Sequence, residues 1–125
     1  MTYHLLSAEL VNLIHDDVLN AGELTGRALD KSLEGALARV DNRLAYGMID
    51  DAYDLAAAYC VAVATGHCFN DGNKRTAFRT MHAALALNGI ENDWPVEEIG
   101  PLIIRVAQSQ VDEADLAIWL RKAAP

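Results

Sequence analysis

Basic residues are scarce in this chain. Ten Lys and Arg stand against 18 Asp and Glu over 125 residues, a formal net charge of −8. A chain of that sign is repelled by nucleic-acid backbone and by anionic membrane, so direct binding to either is disfavoured. The cations are scattered, apart from Lys74-Arg75, which fits a local anion site rather than a broad basic face. Cysteine is nearly absent. Cys60 and Cys68 are the two present, too few for a disulfide framework. Both stand in apolar context, where a free thiol behaves as a small core residue, and a reducing, cytoplasmic compartment is expected. No apolar run is long enough to span a bilayer, and Met1-Thr2-Tyr3-His4 leads into regularly interrupted sequence rather than a signal peptide. Internal repeats, low-complexity tracts and linkers are missing. So is the period-two alternation of strands, beyond a very short stretch at 2–6 or 90–94. What remains is a chain of 52% hydrophobic content, sized for one domain over residues 1–125 and all-α in class.

Helical periodicity divides the chain into about six segments around a central buried pair. Ser7 is suited to cap a first helix from Ala8 to about Asn20, with Leu10, Leu13, Ile14 and Val18 on one face and Gly22 as a left-handed stop. Asp30 or Ser32 starts a second helix through Tyr46, striped by Leu33, Leu37, Val40 and Leu44. Asp50 and Asp51 precede a third, Ala52 to Thr65, where negative charge complements the helix dipole. This helix is apolar on nearly every side, the mark of a central element. A fourth runs from about Lys74 to Asn88. Pro95 fits the first position of a fifth, Val96 to Gln108, with a kink expected at Gly100-Pro101. Asp112 caps a last helix carrying Leu116, Trp119 and Leu120.

Between the third and fourth helices lies Gly66 to Thr76, G-H-C-F-N-D-G-N-K-R-T, the densest run of reactive groups in the chain. A loop feeding a helix leaves unpaired N–H groups pointing back at it, and with the dipole these form an anion site. Gly72 lets the amides converge. Lys74 and Arg75 add positive charge, Arg with two parallel donors and Lys as a mobile point charge. Asn73 can bridge ligand oxygens or fix the loop. Asp71 would repel a phosphate unless a cation lay between them, and Mg²⁺ takes one carboxylate plus phosphate oxygens. His67 is the candidate general base, since imidazole as a side-chain type suits proton transfer near neutrality, although the end of a helix dipole opposes that role. Phe69 is expected to turn inward as an anchor. Each residue alone has a plainer reading: His67 as a helix cap, Asp71-Gly72 as a turn, Cys68 as packing, Lys74-Arg75 as a solvated helix start. Their combined order is what points to chemistry.

That order resembles the signature of the Fic/Doc family, H-P-F-x-D/E-G-N-G-R-x-x-R. His67, Phe69, Asp71, Gly72, Asn73 and Arg75 match it. Cys68 replaces Pro, Lys74 replaces the second Gly, and Phe78 stands where the last Arg would be. The Lys and the missing Arg are what the Doc branch shows. The likeness extends from Gly22 to Gly89, including Arg43-Leu44-Ala45-Tyr46 and Val61-Ala62-Val63-Ala64.

The resemblance implies a Fic-like helical bundle and the toxin of a type II toxin–antitoxin module. Typical Fic enzymes transfer AMP from ATP to a protein hydroxyl. Here Lys74 fills the room left by the second Gly, Phe78 cannot hold outer phosphates, and Arg79 lies about 100° away around a helix. The implied outcome is a reversed nucleotide offering its γ-phosphate, hence protein-Ser/Thr kinase activity, with elongation factor Tu as the target and translation as the casualty. His67 would deprotonate the target hydroxyl and Asp71 would bind Mg²⁺. Phe69, Asn70, Gly72, Asn73, Lys74, Arg75 and Thr76 would surround ATP, with Asn73, Lys74 and Arg75 assisting transfer. The self-inhibiting pattern of many Fic proteins, S/T-x-x-x-E-G/N, is missing, since Ser32-Leu33-Glu34-Gly35 has the wrong spacing. Restraint is then expected from a Phd-type antitoxin whose tail folds into a groove. AMP transfer and a catalytically silent binding module remain alternatives.

Overall fold

The computed structural model describes residues 2–124. Its elements are α1 (Ala8–Val18), α2 (Leu33–Ala45), α3 (Ala52–Gly66), α4 (Asn73–Leu87), α5 (Val96–Ala107) and α6 (Glu113–Lys122). The architecture is all-α, as expected. Four helices start on a side-chain cap at the residue the sequence marks or allows: Ser7, Ser32, Asp51 and Asp112 each accept a backbone N–H of the first turn. Each cap satisfies one of the donors that a helix start leaves unpaired. α4 differs. Its N-cap is Gly72, left-handed at φ 77, with no side-chain cap.

α3 is the central element, packed against α2, α4, α5 and α6. Leu55, Ala56, Ala57, Tyr59, Cys60 and Val63 are fully enclosed. Its small side chains let α4 approach closely, and α4 answers with Ala77, Met81, Ala84 and Leu85, also fully enclosed. This α3–α4 pair carries the loop between its facing ends, so the loop is held on a rigid base.

Several boundaries differ from the expected ones. α1 ends at Val18 rather than Asn20, because Leu19 is already extended. Gly22 is left-handed at φ 85, but it belongs to the turn closed by Glu23 N–H on the Asn20 carbonyl. The buried residues of α1 are Val11 and His15, whereas Leu13 is 66% exposed. The apolar stripe read from the sequence is therefore rotated. α3 runs one residue past Thr65, and His67 closes it in the left-handed conformation. α4 begins at Asn73 rather than Lys74 and ends at Leu87 rather than Asn88. Pro95 is the N-cap of α5 rather than its first residue, α5 ends at Ala107, and Pro101 lies within one unbroken helix, on its exposed side.

No strand occurs among the described residues at 2–6 or 90–94. The extended N-terminal segment bonds to side chains instead. Asn88 accepts the His4 N–H at 2.9 Å and donates to the His4 carbonyl at 3.1 Å, while the Leu6 N–H donates to the buried Tyr59 hydroxyl at 2.9 Å. Those bonds satisfy the backbone without a ladder. An isolated bridge joins Arg27 and Phe69.

The Arg121 guanidinium clasps Asp51 and Asp54, tying α6 to the start of α3. It holds the Asp51 carboxyl below its usual range, chiefly by hydrogen bonding. A carboxyl with a depressed folded-state pKa contributes stability above its unfolded value, and that contribution is lost as pH falls through the folded value. Arg121→Gln is therefore expected to lower the melting temperature at pH 7 and to differ less from the parent below about pH 3, near and under the ordinary Asp value. The pair is partly exposed, so the effect at neutral pH is on the order of 1 kcal/mol. Thermal melts across that pH range check it. Burial pushes the Cys60 thiol up to about 12 and also raises that of Cys68. Both are enclosed, so neither is expected to react with a thiol reagent at pH 8 until denaturant is added.

Candidate active site

The site is the short loop from Cys68 to Gly72 with the residues at either end. α3 delivers His67 at its C-terminus in a left-handed conformation, φ 50. For a non-glycine residue this conformation is uncommon, and such backbone concentrates at functional sites. The His67 side chain is exposed and has no hydrogen-bond partner among the described residues. Cys68 and Phe69 then turn inward, 1% and 3% exposed. The Phe69 ring stacks on the His15 imidazole, centroids 3.9 Å apart and planes within 9°.

The loop is held from both sides. On the α4 side, the Asn73 amide brackets Phe69: its Oδ1 accepts the Phe69 N–H at 3.1 Å and its Nδ2 donates to the Phe69 carbonyl at 2.9 Å. Of the two roles open to Asn73 in the sequence, this geometry is that of fixing the loop. Thr76 is fully buried, and its hydroxyl donates to the Gly72 carbonyl at 2.8 Å, so it anchors the turn from inside. On the other side lies the α1–α2 loop. Ala28 N–H donates to the Cys68 carbonyl at 2.8 Å, and Asn70 N–H to the Gly26 carbonyl at 3.1 Å. The Asn70 side chain donates to the Thr25 carbonyl at 2.9 Å.

Asp71 and Arg75 both reach the segment that follows α1. Asp71 Oδ2 accepts the Leu24 N–H at 2.8 Å, which leaves Oδ1 without a partner among the described residues. Arg75 donates to the Val18 carbonyl at 2.9 Å and pairs with Glu23. That contact, mainly its hydrogen bond, pulls the Glu23 carboxyl below its usual range and raises Arg75. Lys74 is exposed. The N–H groups of Gly72, Asn73, Lys74 and Arg75 have no acceptor among the described residues, since the first bond of α4 runs from Thr76 to Gly72. Four unpaired donors at a helix start with two cations form an anion site. An apolar cavity of about 290 Å³ between α4 and α5 opens beside Lys74 and Arg75, with Phe78 in its wall. Arg79 points elsewhere, to Asp17 at 3.1 Å, so it does not stand in for the Arg missing at position 78.

The described residues contain no cluster of three or more His, Cys, Asp or Glu placed to hold a metal. The carboxylate oxygen of Asp71 left without a partner among the described residues, beside unpaired backbone donors, fits the chemistry of Mg²⁺, which is commonly bound by one carboxylate and a substrate's own phosphates.

The model of the Fic/DOC family matches residues 5–85. The chain belongs to the Fic/DOC family. As a family member it is 34% identical over 120 residues to a protein described as "Protein kinase doc" from Escherichia phage P1, covering 95% of this chain and 94% of that protein. It is 32% identical over 118 residues to "Toxin Doc" of Mycolicibacterium smegmatis, covering 86% and 89%. In this Fic/DOC chain three participants escaped the sequence reading. His15 and Glu23 reach the loop from more than fifty residues away, and Leu24 contributes only its backbone N–H. The one available signal was the spacing of His15 four residues after Val11, which puts both on one helix face.

Asn73→Ala removes both bonds that bracket Phe69. It is expected to destabilise the fold by about 1–3 kcal/mol, the cost of leaving partly buried backbone groups unpaired, read from urea melts.

Proposed function

We propose that this chain is the toxin of a type II toxin–antitoxin pair and acts as an ATP-dependent protein-Ser/Thr kinase. The observation that carries the reading is the match to the phage protein described as a protein kinase over nearly the whole of both chains. The second relative, described as a toxin, supports the biological role. Lys74 and Phe78 support phosphoryl rather than AMP transfer. Lys74 stands exposed at the mouth of the nest, where a second Gly would leave room for an α-phosphate. Phe78 lines an apolar cavity, where an Arg would hold outer phosphates.

In this reading His67 takes the proton from a target hydroxyl. It is exposed and without a partner among the described residues, as a base meeting a protein substrate must be. Asp71 would hold Mg²⁺, and the ion would supply charge neutralisation between carboxylate and phosphates. The amides of Gly72 to Arg75 and the side chains of Lys74 and Arg75 orient the γ-phosphate and stabilise charge on the transferring group. Arg75 must exchange Glu23 for phosphate as the nucleotide enters. Asn70, Asn73, Thr76 and Phe69 hold the loop that presents these donors. The target is a threonine or serine of elongation factor Tu, the compartment is the cytoplasm, and restraint comes from a Phd-type antitoxin.

Incubation with elongation factor Tu and ATP labelled at either the γ or the α position tests this reading. Label is expected from the γ position alone, and His67→Ala is expected to slow transfer at least about 100-fold, the range of general-base catalysis. Label from the α position alone would establish AMP transfer instead. Growth arrest by His67→Ala as strong as that by the parent would point to a silent binding module.

A further inference from the structure

We propose that His15 is a positioning residue that locks the Asp71–Gly72 peptide in the orientation an anion needs. The proposal rests on the phosphate-binding reading above and adds a residue to that site. His15 is 1% exposed on α1. Its Nε2 lies 2.8 Å from the Asp71 carbonyl oxygen. A carbonyl only accepts, so Nε2 carries the proton. Nδ1 is 3.7 Å from the Asp16 carboxylate, too far for a hydrogen bond. The ring lies flat on Phe69, and its edge comes within 3.7 Å of where a Cβ on Gly72 would stand. One side chain thus contacts two residues of the loop and lies beside a third.

The neighbouring peptides are fixed in other ways. Asn73 holds both polar groups of Phe69, and the Gly72 carbonyl accepts from both Thr76 donors. The peptide between Asp71 and Gly72 has His15 as its sole partner among the described residues. No described peptide is cis, and in a planar trans peptide the carbonyl and N–H point in opposite directions. Drawing the Asp71 carbonyl toward His15 on α1 therefore aims the Gly72 N–H away from it. A glycine at φ 77 tolerates either orientation of the peptide before it. Without the imidazole donor the peptide is free to turn over. An oxygen would then face the anion where an N–H had been. A Phe at this position would fill the space and stack equally well, so the feature peculiar to His is the Nε2–H.

The test compares the parent with His15→Phe, which keeps the ring and loses the donor, and His15→Gln, which keeps a donor and loses the ring. Heteronuclear NMR reads the Gly72 amide, titration calorimetry reads Mg·ATP binding, and thermal melts report the fold. His15→Phe is expected to melt near the parent, shift the Gly72 amide and bind Mg·ATP at least tenfold more weakly, while His15→Gln recovers most of both. A Gly72 amide and an affinity unchanged in His15→Phe overturn the proposal, and so does equal weakening in the two variants. If the parent itself fails to bind Mg·ATP, the kinase reading falls, and the Gly72 amide still decides the lock: unmoved in His15→Phe, it refutes it. Should His15→Phe not fold, His15→Gln decides, since loss of the parental Gly72 shift there refutes the lock.

Discussion

Between α3 and α4 the chain reverses while both helices stay packed together, and the Asn73 amide is what holds that reversal. It accepts from and donates to the same residue, Phe69. Both polar groups of Phe69 are thereby satisfied where no helix can satisfy them. Phe69 turns inward because its backbone is held this way, and Gly72 takes a left-handed conformation because the chain must enter α4 immediately after. The unpaired donors at the start of α4 follow from the same constraint. A Ser or Asp cap would have taken one of them, as at α1, α2, α3 and α6. Here Gly72 caps with nothing, which leaves the donors for a ligand.

The second layer of the site comes from the α1–α2 loop, which meets two of its charged residues. Glu23 faces Arg75, and the Leu24 N–H faces Asp71. Charges gathered at one place are costly unless compensated, and the arrangement compensates them within the chain. Under the proposed function, phosphates and a cation would offer the same groups equivalent partners, so a nucleotide would enter by an exchange of partners rather than by filling a void. The backbone bonds of Ala28 and Asn70 lie further along the loop, and they hold the two segments together independently of Glu23.

Much of the fold was legible in the sequence because helices are written locally. Ser7, Ser32, Asp51 and Asp112 cap by bonding three residues ahead, within any short reading window. The all-apolar α3 announced its central place. The order His67 to Arg75 marked the candidate site, since the motif residues are neighbours in sequence. Boundaries moved by a residue or two where tertiary contacts end a helix, as at Leu19 and His67.

What the chain determined by itself is the helical plan, the weak basic character and the placing of base, carboxylate, amide and cations on one bend, because each is a matter of spacing along a few residues. Tertiary structure alone decided which face of α1 is buried, that Leu13 looks outward while His15 lies beneath the bend, that Glu23 meets Arg75, and that the first residues pair with Asn88 and Tyr59 instead of forming a strand. These contacts join residues roughly 50 to 80 positions apart. Their physical basis is the packing of α1 and its following loop across the α3–α4 pair, a choice among helix faces that periodicity leaves open and that only the enclosed volume resolves.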